Sequence, residues 1–144
     1  MNVLVIEPMK APYEKEIESG LESLQHEVDG YIEALGLDDD AFIICNEEGK
    51  INGLELNRAI RDDRGRISDI IAGTFLVVGS GEEDFCSLTP EQMKKYQKKF
   101  RYPETFMRFG GEIVAIPIKP RSVAERYTHK SQPERSVKGY GIQV

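Results

Sequence analysis

Residues 41–80 read AFIICNEEGKINGLELNRAIRDDRGRISDIIAGTFLVVGS. Apolar runs of strand length alternate there with turn chemistry, a pattern that admits a compact β-rich core and little else. Ala41 to Cys45 predicts a strand. Asn46-Glu47-Glu48-Gly49-Lys50 predicts a hairpin turn with Gly49 in the left-handed position. Asp62-Asp63-Arg64-Gly65 predicts a second turn, between Ala59-Ile60 and Ile67. Between the turns, Leu54, Leu56 and Ile60 are expected to pack inward, with Glu55, Asn57 and Arg61 facing elsewhere. Ile67 to Val78 is the longest apolar stretch and predicts the central strand. Gly73-Thr74 interrupts it; an interior glycine marks a bulge or a close approach by a ligand or another strand.

Val3 to Ile6 is a continuous apolar run ended by Pro8, the pattern of a strand covered on both faces. Tyr13 to Glu18 is more polar and suits an edge strand. Ser19 and Glu22 form a capping-box signature, Leu21, Leu24 and Val28 share a helix face, and Gly30 is placed to end that helix. Tyr31 to Leu35 predicts the next strand, and Asp38-Asp39-Asp40 a turn. Thr89-Pro90-Glu91-Gln92 starts a second helix, with Met93, Tyr96 and Phe100 on its apolar face and Lys94, Lys95, Lys98 and Lys99 on its solvated one. Gly110-Gly111 precedes a last apolar run, Ile113 to Ile118. Two helices against five to six strands predict an α+β fold with a mainly antiparallel or mixed sheet. Residues 1–118 form one domain on this reading, and 119–144 a basic C-terminal extension, flexible unless a neighbour holds it.

A chain of 144 residues can bury roughly 70% of the surface its unfolded form exposes, so it requires no metal or disulfide staple. Cys45 in an apolar run and Cys86 after Phe85 read as a buried small hydrophobe and a free thiol. With only His26 and His129, no metal site and no cofactor are expected. No run approaches a membrane span and the N-terminus reads as a first strand, so a cytoplasmic location and no membrane partner are expected. Residues 1–88 carry a net −13, and the rest a net +7. Nonspecific nucleic-acid binding needs a contiguous basic surface, which the acidic body does not offer.

Three blocks, VLVIEP, ICNEEGKINGLELNRAIRDDRGRISDIIAGTFLVVG and DFCSLTPEQMKKY, also carry a resemblance. Over about residues 2–100 the chain resembles a small bacterial and phage family catalogued only as a domain of unknown function, number three-eight-four-six. The resemblance implies a phage or mobile-element context and, through it, a counter-defence setting. It attaches no activity, and residues from about 102 onward depart from the pattern.

Catalytic inventory is sparse. Neither histidine adjoins a nucleophile motif, Gly79-Ser80-Gly81 lacks the rest of a phosphate loop, and the paired carboxylates sit in turns. The candidate ligand-binding residues are Asn46, Asn52, Asn57, Arg58, Arg61, Gly73 and Thr74. Arginine offers a planar fork for phosphate or carboxylate, and asparagine supplies donor and acceptor. The structural alternative has the asparagines supporting turns and Arg58 pairing with Asp62, Asp63 or Asp69. The leading expectation is a noncatalytic binding or adaptor protein that engages a host macromolecule or sequesters a small anionic, nucleotide-like ligand, with homo-oligomerisation through the final strand and tail. An acidic DNA mimic and an enzyme acting on nucleotides or nucleic acid, with Asn57 and Arg58 on phosphate, stand as alternatives.

Overall fold

The structure, a computed structural model, describes residues 1–120. The strands and helices run β1 (Asn2–Ile6), β2 (Tyr13–Glu16), α1 (Leu21–Val28), β3 (Ile32–Asp38), β4 (Ala41–Asn46), β5 (Leu56–Arg61), β6 (Ile67–Ala72), β7 (Phe75–Ser80), β8 (Phe85–Cys86), α2 (Pro90–Lys99), β9 (Glu104–Phe109) and β10 (Glu112–Pro117). The fold is α+β. Its main sheet is antiparallel, in the order β2-β1-β7-β4-β3, with β8 joining β7.

Covering the main sheet on both faces explains its unbroken apolar strands. On β1, Leu4 and Ile6 point to one face and Val3 and Val5 to the other. The first face packs with Phe75, Val77 and Ile43 against Met93, Tyr96 and Phe100 of α2 and its C-cap. The second packs with Leu76, Val78 and Ile44 against Leu24 and Val28 of α1. Phe75 and Phe100 meet edge to face, their ring centroids 5.4 Å apart. The second helix starts as its sequence dictates: Thr89 and Gln92 exchange a reciprocal capping box, and Pro90 occupies the first turn.

Several local expectations are corrected. The Ile67–Val78 stretch is two strands. At Gly73 (φ 83) the chain leaves the β5–β6 hairpin, a separate two-stranded sheet, and enters β7. A Cβ at Gly73 would lie 2.7 Å from Leu54 Cδ1, so that methyl would have to move aside, and the positive φ itself favours glycine at the crossing. The turn after β4 does not close a hairpin onto β5. It continues to Gly53, which takes the left-handed conformation assigned above to Gly49. Ser19 is not a cap, because Gly20 (φ 112) occupies the N-cap of α1 and no side chain bonds there. Asp29, at φ 59, takes the left-handed position at the helix end ahead of Gly30. Beyond α2, the residues of β9 form a strand that the sequence reading passed over. Gly110 and Gly111, both at positive φ, close it tightly onto β10. Apart from Lys119 and Pro120, the basic extension lies outside the described residues.

Candidate ligand-binding cleft

The polar residues singled out in the sequence do not converge on one accessible hollow. Asn46 is buried at the end of β4, where its Nδ2 donates to Val28 O and Asp29 O, both at 3.1 Å. These are carbonyls at the C-terminus of α1. Its Oδ1 accepts from the Glu48 amide. Asn57 is fully buried, with Nδ2 donating to Ile6 O at 2.9 Å and Gly73 O at 2.8 Å. It therefore faces inward, contrary to the outward direction expected. Its carbonyl partners tie β1 and the Gly73 crossing to β5.

Arg58 is 1% exposed and pairs with none of Asp62, Asp63 or Asp69. Its Nε and Nη2 donate to Phe100 O at 3.2 and 3.0 Å, Nη2 also to Lys10 O at 2.7 Å, and Nη1 to Asn57 Oδ1 at 2.9 Å. Phe100 is the C-cap of α2, where unpaired carbonyls and the helix dipole favour a cation. Burial pulls the Arg58 pKa down from its usual value, and nearby Glu104 opposes that pull. Asn46 and Arg58 thus serve the C-termini of α1 and α2, and their donors are committed to backbone carbonyls and, for Arg58 Nη1, to the Asn57 side chain. Gly73 is buried, Thr74 half-buried, and Asn52 and Arg61 are exposed.

An open cleft lies elsewhere, between the β5–β6 hairpin and the β9–β10 ribbon. Its volume is about 840 Å³. Leu56, Ile67, Ile70 and Ile113 supply apolar lining, and Lys50, Arg66, Asp69 and Glu112 supply charge of both signs. Glu104 helps to fix the ribbon, accepting from the Ala59 amide at 2.7 Å. A smaller hollow of about 300 Å³ adjoins, lined in part by Cys45, Ile71 and Ala72. Lys50 and Asp69 border both and pair at 2.7 Å. Along the cleft, β6 pairs with β5 on one side and with no strand on its other side among the described residues. Sequence reasoning missed this site because one wall depends on β9 and β10, whose position no local pattern encodes.

Burial raises the Cys45 thiol to about 11, which keeps it protonated and unreactive near neutrality. Among the described residues, no group of three or more His, Cys, Asp or Glu side chains is placed to hold a metal ion. No helix there is long and apolar enough to cross a membrane.

Fold and cleft together define a small α+β protein with an apolar, charge-rimmed groove beside an open strand edge. The chain belongs to the family described as a domain of unknown function, DUF3846, whose model matches residues 1–101. That match ends next to Phe100, the carbonyl that Arg58 holds, and stops short of the ribbon. No curated protein and no solved structure matches the chain.

Proposed function

We propose that this chain is a noncatalytic binding module, encoded by a phage or mobile element, that holds an extended segment of a partner protein in the cleft between β5–β6 and β9–β10. The cleft itself carries the reading. Its lining is apolar, its rim has cations and carboxylates, and one wall is a strand edge that pairs with no described strand. Extended peptides bind such edges through main-chain hydrogen bonds, and alternate side chains enter pockets. A nucleotide fits less well. Among the described residues no aromatic ring lines the cleft for base stacking, and the Asn57 and Arg58 donors that would grip phosphate are spent on carbonyls.

Selection of a displayed library of unstructured peptides against the full chain tests this. Enriched peptides should alternate apolar and charged residues, and Ile67→Asp should weaken them by at least about tenfold. The reading fails if no peptide binds, if binding survives Ile67→Asp, or if a nucleotide panel binds and competes.

A further inference from the structure

The β5–β6 hairpin is closed by a carboxylate on each of its outward edges, both at one rung. Ala59 and Ile70 stand opposite each other in its register. The Ala59 amide points away from β6, because it donates to Glu104 Oε1 at 2.7 Å. In an antiparallel ladder the amides of such a pair turn outward together, and the neighbouring pair, Arg58 with Ile71, exchanges the bonds. The Ile70 amide therefore faces the open edge of β6. There it donates to Asp69 Oδ1 at 2.8 Å, and the same oxygen accepts from Lys50 Nζ at 2.7 Å. The accessible part of this edge is short. A Cβ on Gly49 would lie 2.7 Å from the Ala72 carbonyl oxygen, so the loop after β4 covers one end. At the other end Ser68 is the extra residue of a bulge, and its Oγ donates to Ile60 O at 3.1 Å. Ile70 is the central rung that an arriving strand meets.

We infer that Asp69 is a specificity-determining residue of the cleft: its carboxylate stands in for the carbonyl of a partner strand, and a segment binds by displacing it from the Ile70 amide. This rests on the reading of the cleft as a peptide site. In strand addition an outward amide takes a carbonyl of the incoming main chain. Asp69 Oδ1 holds that place in the free chain, and one N–H cannot serve both acceptors. Asp69 is half-buried at the rim and Lys50 is exposed, so a rotation of the Asp69 side chain can open the rung. Lys50, on a flexible four-carbon stem, can follow the carboxylate outward. The chain is competent to pair only while Asp69 is turned away, and the apparent affinity of any segment falls by that fraction. Closure therefore sets a threshold. Segments that offer main chain alone are refused, as charged side chains refuse them at other sheet edges. Segments that also place apolar side chains on Leu56, Ile67, Ile70 and Ile113 gain enough to stay. The partner class is thus an extended segment rich in apolar residues at alternate positions.

Two measurements on the full chain test this. Amide hydrogen exchange needs no ligand. Asp69→Ala should speed exchange at Ile70 by at least about tenfold and leave Ile71, bonded within the hairpin, unchanged. Asp69→Asn keeps a side-chain acceptor without the charge and should fall between. The second measurement titrates a library-selected peptide. Asp69→Ala should tighten its binding by about three- to tenfold, and Asp69→Asn by less. Selection at a fixed concentration against Asp69→Ala should also recover peptides with fewer apolar residues than selection against the wild type. Unchanged exchange at Ile70 overturns the inference. A peptide that binds Asp69→Ala no better, or more weakly, overturns it alone and leaves the peptide-site reading standing, since Asp69 is then a bystander or a direct contact of the ligand. A library without binders removes the peptide-site reading, and the inference falls with it.

Discussion

Replacing Arg58 with methionine should unfold this protein far more readily without touching the cleft. The substitution keeps most of the side-chain volume and removes every donor. Phe100 O and Asn57 Oδ1 are then left buried without their partner, while Lys10 O, on an exposed residue, can turn to water. Each stranded acceptor costs about 1–3 kcal/mol, and loss of a cation at the α2 C-terminus adds up to about 1 kcal/mol. The total, about 4 kcal/mol, is a large part of the 5–15 kcal/mol typical of a domain. In urea, this lowers the transition midpoint by on the order of 2 M at an unchanged slope. Arg58→Lys, which keeps the charge but not the planar fork, should fall between the two. A loss below about 1 kcal/mol would refute the assignment of Arg58 to the fold, because structural hydrogen bonds to a buried guanidinium are worth more than that.

Gly73→Ala should cost about 1–2 kcal/mol by the same urea assay, through left-handed strain, with the Leu54 methyl moving aside for the new Cβ. A thiol-reactive dye should label exposed Cys86 rapidly and buried Cys45 only on unfolding; two fast equivalents would contradict the packing of β4. Burial, with the hydrogen bond to Asp38, raises the Tyr96 pKa, so the stability it contributes is complete below the ordinary tyrosine value near ~10 and drains as pH rises through the folded value. Asp38 is held low, first by Tyr96 and then by Lys95; its contribution is present above ~4 and drains as pH falls through the folded value. Melting of the wild type and Tyr96→Phe from pH 3 to 11 should show both flanks in the former and a flatter profile in the latter; identical profiles would remove the pair from the account.

The legible parts of this fold were those where local chemistry and tertiary packing ask for the same residue. Val3 to Ile6 reads as a strand covered on both faces because it is one, with alternate side chains in the two cores. Thr89-Pro90-Glu91-Gln92 specifies its own helix start. Where tertiary context decides, the reading erred. Ser19-x-x-Glu22 has a capping-box spacing, but the backbone turn at Gly20 places the cap one residue later. The apolar run from Ile67 to Val78 conceals a sheet-to-sheet crossing, signalled only by Gly73. The polar residues of the middle segment posed the sharper problem. A buried arginine that serves a helix C-terminus 42 residues away is indistinguishable in sequence from one that awaits an anion. The cleft was illegible for a related reason, since its walls come from segments about 45 residues apart, such as Ile67 and Ile113.

Amide chemical-shift mapping of the full chain, titrated with a library-selected peptide, reads the binding surface residue by residue. Binding in the groove predicts perturbations centred on Lys50, Ile67 to Ile70 and Ile113, with Asn57 and Arg58 quiet in the protein interior. Shifts centred on Asn57 and Arg58, or spread along the acidic strands β2 and β3 with the groove silent, would contradict it.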